Sequence, residues 1–567
     1  MTPSRFAERN PLVQIHLPDG STLEGERGAA VGRLLEPIVG ALPAPLVAAV
    51  INGELHELTF PVELESRVRP VTMAEADGAR IYRRSLTFLL EAAFSRLWPE
   101  AVLYIDHTLA SGGFFCAPDA RAPLAPEELR SLDAEMRRLI AQDLPFEASV
   151  VPVADAIATF EQRNFHDVAQ LMRHRRKPTI TLYRLGDYID YHQGYMVPST
   201  GYLKWFELVA MDGGFALRYP RQHTPTKLSP LADSPKLLAA FRQYGRWLDR
   251  LGISGVGELD AAIEAGRGRQ VILVSEALHE QTIADIARQI AERGDQARLV
   301  LISGPSSSGK TTFSRRLAVQ LLARGLSPFA LEMDNYFVER SRTPRDAAGN
   351  LDYETIDALE LAQLGEHLDR LLAGEEVQLP RFSFPEGRQY PGDKIRLRPG
   401  QLIILEGIHG LNPRLLPPAL AARTFKVYAS ALTQLNLDRH NRIATTDTRL
   451  LRRIVRDARD RGYTAAQTIA RWESVRRGEK LHIFPHQENA DAMFNSALVY
   501  ELSVLRPFAE PLLRQVEHGT PEFVEAARLL AFLQWFTPLS VDDIPENSIL
   551  REFVGGSSLK EFRVWGA

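Results

Sequence analysis

Apolar and polar residues alternate at the start of the chain. Val13, Ile15 and Leu17 interleave with Gln14 and His16, and Asp19-Gly20 then supplies a hairpin turn. A helix-like stretch comes next over Val31 to Leu42, then a strand, Leu46 to Ile51, turned by Asn52-Gly53. This predicts a small β-rich module over residues 1–74, with a second module over 75–222. Residues 218–235 hold four prolines among Ser, Thr and Lys, which is linker composition. Helical periodicity then runs through Phe241 to Leu251 and Glu280 to Glu292, the latter with Ile283, Ile286 and Ile290 on one face. Residues 223–295 are therefore a linker and helical region that buttresses the C-terminal part of the chain. From 296 to 567 short apolar runs alternate with helical patterns, which predicts an α/β domain with a mostly parallel sheet.

That domain opens with the run Leu299-Val300-Leu301-Ile302. It continues as Ser303-Gly304-Pro305-Ser306-Ser307-Ser308-Gly309-Lys310-Thr311-Thr312, then as a helical segment with Phe313, Leu317 and Leu321 four apart, ended by Gly325. A second apolar run, Phe329 to Met333, ends on Asp334. Strand, glycine-bounded loop, helix, strand and carboxylate in this order make a phosphate-handling unit. Gly304 and Gly309 let backbone N–H groups turn inward without Cβ clashes. Lys310 sets a compact charge on the β- and γ-phosphates of a nucleotide, and the Thr311 hydroxyl takes one position on Mg2+.

Two more patterns belong to this unit. A third strand, Leu402 to Leu405, ends on Glu406-Gly407. Ligand sites of open α/β sheets lie at the carboxyl ends of strands, so the loop, Asp334 and Glu406 are expected together, one acid serving Mg2+ and the other accepting the proton of an attacking hydroxyl. Along Thr448 to Gly462, Arg449, Arg452, Arg453 and Arg456 share one helix face, with Leu450, Leu451, Ile454 and Val455 packing the other side and Arg461 at the end. Beside a phosphate loop, such a stripe reads as a lid over the migrating phosphoryl group.

Composition adds limits. The chain has 567 residues, long enough for several domains, and its net charge of -4 gives no general pull toward nucleic acid or anionic membrane. The single cysteine, Cys116, excludes an intramolecular disulfide and a cysteine-rich zinc site, which fits a reducing compartment. No signal-peptide core and no run long enough to span a bilayer are evident, so a cytoplasmic protein without membrane contact is expected.

Three resemblances extend this reading. Residues 1–74 resemble the TGS domain, a ubiquitin-like β-grasp module of threonyl-tRNA synthetases and some GTPases. Residues 75–222 resemble the second additional domain of threonyl-tRNA synthetase, through Arg84-Ser85-Leu86-Thr87-Phe88, Gly112-Gly113-Phe114-Phe115 and Ile189-Asp190-Tyr191-His192-Gln193-Gly194. That domain edits mischarged tRNA with two His four apart, then a Cys and a His four apart. Here those positions hold Arg84, Phe88, His192 and Met196, so the resemblance implies a retained fold with the editing chemistry lost.

The phosphate loop, Met333-Asp334-Asn335-Tyr336-Phe337, Asn350-Leu351-Asp352, Leu405-Glu406-Gly407-Ile408 and the arginine helix resemble uridine–cytidine kinases and the related phosphoribulokinases. The resemblance implies an ATP- and Mg2+-dependent phosphotransferase, with Asp334 as base, Thr311 and Glu406 at the metal, and Asp352 on ribose hydroxyls. It also implies Arg453, Arg456 and Arg461 on the phosphates, and residues 304–312 around the ATP tail. Tyr336, Phe382, Phe384, Tyr463 and Arg471 are expected at the acceptor. The family reads its pyrimidine with a Tyr, a His, an Arg and a Gln, where this chain holds Phe382, Gly387, Tyr463 and Arg471. Stacking survives such a change and hydrogen-bond readout does not, so another nucleoside or another ribose-like alcohol stays open as the acceptor.

The alternative is a regulatory NTP-binding protein that senses RNA through its N-terminal modules. The absence of an Asn-Lys-x-Asp signature argues against a GTPase. Self-association into a homo-oligomer is left open.

Overall fold

The computed structural model describes residues 10–562, apart from residues 110, 120, 233, 347 and 348. Near its start, Leu12–His16 pairs antiparallel with Thr22–Glu26 and parallel with Ser66–Thr72. Leu46–Ile51 and Glu54–Glu57 complete a five-stranded sheet. The helix Val31–Leu35 closes its core, so this is a β-grasp arrangement.

The long helix Ala76–Leu97 links that sheet to an α+β region containing a four-stranded sheet (Val102–Thr108, Phe114–Asp119, Glu207–Met211, Gly214–Arg218) and a three-stranded one (Glu147–Pro152, Thr179–Leu185, Tyr188–Asp190). Its buried face, with Leu86, Phe88, Leu89, Leu90 and Phe94, packs against both.

Three helices come next: Pro235–Leu251, Val256–Glu264 and Gly268–Arg293. The last begins 12 residues before the periodicity places it, because Val271 and Ile272 are buried while Leu273 and Val274 are exposed, which blurs the stripe. Ile283, Ile286 and Ile290 pack into one core with Phe313, Leu317 and Leu321, so this helix buttresses the phosphate-loop helix.

The C-terminal sheet has five parallel strands in the order Pro328–Glu332, Leu402–Glu406, Leu299–Ser303, Thr424–Ser430, Ala492–Asn495. The central strand is buried at all five positions, as a strand covered on both faces must be. An antiparallel hairpin, Glu376–Ser383 with Arg388–Arg396, stands outside the sheet and was not expected from periodicity. Among the described residues, no helix is long and apolar enough to cross a membrane.

Candidate active site

The loop between Leu299–Ser303 and the helix Lys310–Ala323 is built for close approach. A Cβ on Gly304 would lie 1.9 Å from the Ala429 carbonyl oxygen. Gly309 adopts φ +82°, and a Cβ there would meet Ile549 at 2.5 Å. Glycine is therefore required at both positions.

Two helices and the sheet fix the rest of the loop. The Ser306 carbonyl accepts from Arg449 (2.9 Å), its hydroxyl from Arg453 (2.8 Å), and its N–H donates to Glu479 (2.9 Å). Ser496 donates to the Ser308 carbonyl. The hydroxyl oxygens of Ser307 and Ser308 are buried without a partner. Lys310 turns back, donating to the Pro305 carbonyl at 3.1 Å.

Carboxylates surround the lysine. Thr311 donates its hydroxyl to Glu406 Oε1 at 2.8 Å, and Glu406 Oε2 is buried with no partner. Burial pushes the Glu406 carboxyl up to about 7; Lys310 and the Thr311 hydroxyl oppose this, while Asp334 and Glu552 add to it. Asp334 presents its side chain to solvent, yet the surrounding protein desolvates it and raises its carboxyl, with Lys310 and Arg461 pulling the other way. Glu354, also near Lys310, is pushed up to about 7, first by burial and then by Glu479. An orphaned carboxylate oxygen next to a threonine hydroxyl is an oxygen pair that suits Mg2+, while the lysine and the unpartnered serine hydroxyls suit a phosphate tail.

The arginine helix spans Thr445–Arg461 and stops at Gly462 in the left-handed conformation. Its stripe is not uniform. Arg449 pairs with Glu479, and Arg452 bonds Glu501 (2.7 Å) and the Ser496 carbonyl (2.8 Å), both guanidinium groups being buried. These two are structural, which corrects the expectation of a single phosphate-facing stripe. Arg453, Arg456 and Arg461 gather instead around buried Asp457, at 3.2, 2.8 and 3.4 Å.

On the acceptor side, Asp352 accepts from the Glu354 N–H (3.0 Å), and Asn335 accepts from the Phe382 N–H (3.3 Å), tying the Asp334 turn to the hairpin. Phe337, Tyr353, Phe382 and Phe384 form an aromatic cluster, with Phe382 and Phe384 edge-on at 5.0 Å and Phe384 half exposed. Arg471 lies 4.9 Å over the Tyr463 ring, a second group apart from that cluster among the described residues. Tyr336 requires a correction: it is fully buried, and its hydroxyl meets His367 at 3.1 Å, so its side chain offers nothing to an acceptor. The reason is the 3-10 turn Met333–Tyr336, which puts Met333 and Tyr336, three residues apart, on one buried face.

Three acids at the site were not foreseen. Glu354 lies two residues beyond Asp352, a spacing that could have drawn notice. Glu479 and Glu552 gave no local signal. Glu552 accepts from the Thr312 N–H (3.1 Å) and hydroxyl (2.8 Å), so a carboxylate occupies the head of the phosphate-loop helix.

In the N-terminal half, Phe88 and Met196 are buried, His192 bonds Glu91 at 3.0 Å, and Arg84 donates to the Tyr195 carbonyl at 2.6 Å.

With this geometry in hand, comparison with known proteins assigns the C-terminal part. Residues 299–503 match the Phosphoribulokinase / Uridine kinase family model. This domain has the P-loop kinase fold. Solved structures similar to the chain include one described as a possible uridine kinase from Bacillus stearothermophilus, at 20% identity and a TM-score of 0.26, covering 38% of this chain and 97% of that one. Another is D-glycerate 3-kinase from Cryptococcus neoformans, at 15% identity and a TM-score of 0.24, covering 37% and 86%.

The N-terminal region resembles threonine–tRNA ligases. Those of Methylococcus capsulatus and Acetivibrio thermocellus are 32% identical over 202 residues and 30% identical over 205. The matches cover 35% and 36% of this chain, and this chain spans 32% of each relative's length.

Proposed function

We propose that the protein transfers the terminal phosphoryl group of ATP to a hydroxyl of a small alcohol, a nucleoside or a ribose-like compound. The observation that carries this is the Thr311–Glu406 pair, whose second carboxylate oxygen is left unpartnered among the described residues, with Asp334 just past the end of the neighbouring strand Pro328–Glu332. Residues 304–312 cradle the phosphates, and Lys310 carries charge to the β–γ bridge. Bound Mg2+, held by Thr311 and Glu406, supplies charge neutralisation on the phosphates.

Asp334 takes the proton of the acceptor hydroxyl while its oxygen forms the new bond to phosphorus and the bond to the donor's bridging oxygen breaks. Desolvation, which raises the Asp334 carboxyl, makes it a stronger base than an exposed aspartate. Arg453, Arg456 and Arg461 supply three guanidinium groups against one Asp457 carboxylate, leaving positive charge for the transferred group. Asp352 is suited to ribose hydroxyls, and Phe382 and Phe384 to stacking against an acceptor ring.

The test is a screen of nucleosides and sugars for ATP consumption, with the product's mass determined. Asp334→Asn is expected to lower turnover by about 10² while nucleotide binding persists. Unchanged turnover in that variant removes Asp334 from the reaction.

A further inference from the structure

A cleft of about 640 Å³ lies where the N-terminal modules meet the C-terminal domain, and none of the phosphate-loop residues lines it. One wall is the helix Ala76–Leu97, which presents Arg83 and Arg84; the facing wall is the segment 437–444, which presents Arg442, and the helix Pro521–Leu533. The volume is within the range of small-molecule sites.

The charge in this cleft is unbalanced. Arg84 donates to the Tyr195 carbonyl, and Arg442 donates to the Thr108 hydroxyl at 2.7 Å. Among the described residues neither pairs with a carboxylate, and neither do Arg83, Arg175 or Lys177, which also line the cleft. Two acids of the lining are already engaged, Asp77 by Arg80 and Asp447 by Arg528, while Glu54 lies 3.4 Å from His518 and 3.9 Å from His56. Burial pulls the Arg84 and Arg442 guanidinium groups down to about 10; Tyr183 opposes this at Arg84 and Asp106 at Arg442, while the Arg83 charge adds to it at both. Cations desolvated without counter-charge are costly unless an anion completes them. Aromatic side chains stand among them: Phe114, Tyr195 and Phe523 line the same space.

We propose that this cleft is a second ligand site, which binds a free mononucleotide with its phosphate among Arg83, Arg84 and Arg442 and its base against the aromatic walls. Guanidinium forks match phosphate oxygens, and aromatic faces accept any base.

The site is wired to the arginine helix. Arg528 holds Asp447, in the first turn of that helix, through two bonds of 2.8 and 2.9 Å. Glu525 bonds both Arg528 and Arg80, each at 2.7 Å, which continues the chain to the helix Ala76–Leu97. Segment 437–444 also runs directly into residue 445. A phosphate drawing on Arg442 sits on the segment that leads into the helix carrying Arg453 and Arg456.

Equilibrium dialysis of the intact protein with AMP tests this. Wild type and Lys310→Ala are expected to bind AMP alike, while Arg84→Glu and Arg442→Glu each weaken binding about tenfold or more and Arg84→Lys keeps most of it. Loss of AMP binding in Lys310→Ala with retention in Arg84→Glu would assign AMP to the phosphate loop and overturn the proposal. So would no AMP binding at millimolar concentration, or binding of a short RNA with none of AMP. Should the charge reversals fail to fold, Arg84→Gln and Arg442→Gln replace them in the same dialysis: weakened AMP binding in either supports the second site, and wild-type binding in both rejects it.

Discussion

Two sets of arginines on one helix, adjacent in sequence, do opposite work. Arg449 and Arg452 are 1% and 0% exposed, each is matched to a buried glutamate, and their spare donors hold carbonyls of the phosphate loop and of Ser496. Arg453, Arg456 and Arg461 share a single aspartate and keep 12%, 15% and 50% of their side-chain surface. The first set is fully committed, whereas the second retains donor capacity beyond what that one carboxylate takes up. Burial and pairing, not the presence of a guanidinium, separate the residues that shape the cradle from those able to act on a substrate.

The largest effect should come from the committed set. Arg452→Ala strands the buried Glu501 carboxylate, and a loss of about 3–5 kcal/mol in unfolding free energy is expected. Denaturant titration reads it, and a wild-type midpoint would erase the distinction. Arg453→Ala is expected to reverse the pattern, with kcat about 10² lower and the melting temperature nearly unchanged; equal losses in both quantities would make the two sets alike.

Glu406 sharpens the contrast through pH. Its carboxyl lies near 7 in the folded chain against an ordinary 4.5. Between those values the folded form keeps a proton that the unfolded form has lost, so stability falls as pH rises from about 4.5 to about 7. Glu406→Gln should flatten part of that fall in a melting-temperature series while abolishing Mg2+-dependent turnover; an unaltered series refutes it. The smallest change is expected from Glu552→Gln, which removes a negative charge from the Thr312 N–H and should tighten nucleotide binding several-fold. Calorimetry with ATP measures this, and weaker binding would mean that Glu552 supports the nucleotide instead of opposing it.

Much of the cradle was legible in the chain. The apolar run before Gly304, the Lys310-Thr311 pair and the acids at the ends of two strands announce themselves locally, because loop geometry and strand ends are set by near neighbours. The division of the arginine stripe was not legible, since i, i+3, i+4 and i+7 spacing cannot tell that Glu479 and Glu501, 30 and 49 residues away, will neutralise two of the four. Tyr336 failed for a similar reason: His367, which bonds its hydroxyl, is 31 residues away. Glu552 meets Thr312 across 240 residues, and no periodicity reports such a contact.

That last separation has a consequence during synthesis. Ile549 and Glu552 close on Gly309 and Thr312 only after some 240 further residues have been translated, roughly 10 to 50 s at ordinary elongation rates. Throughout that interval the emerging polypeptide carries its phosphate loop without the segment that finally packs against it, so the order of translation makes the loop's final packing a property acquired late.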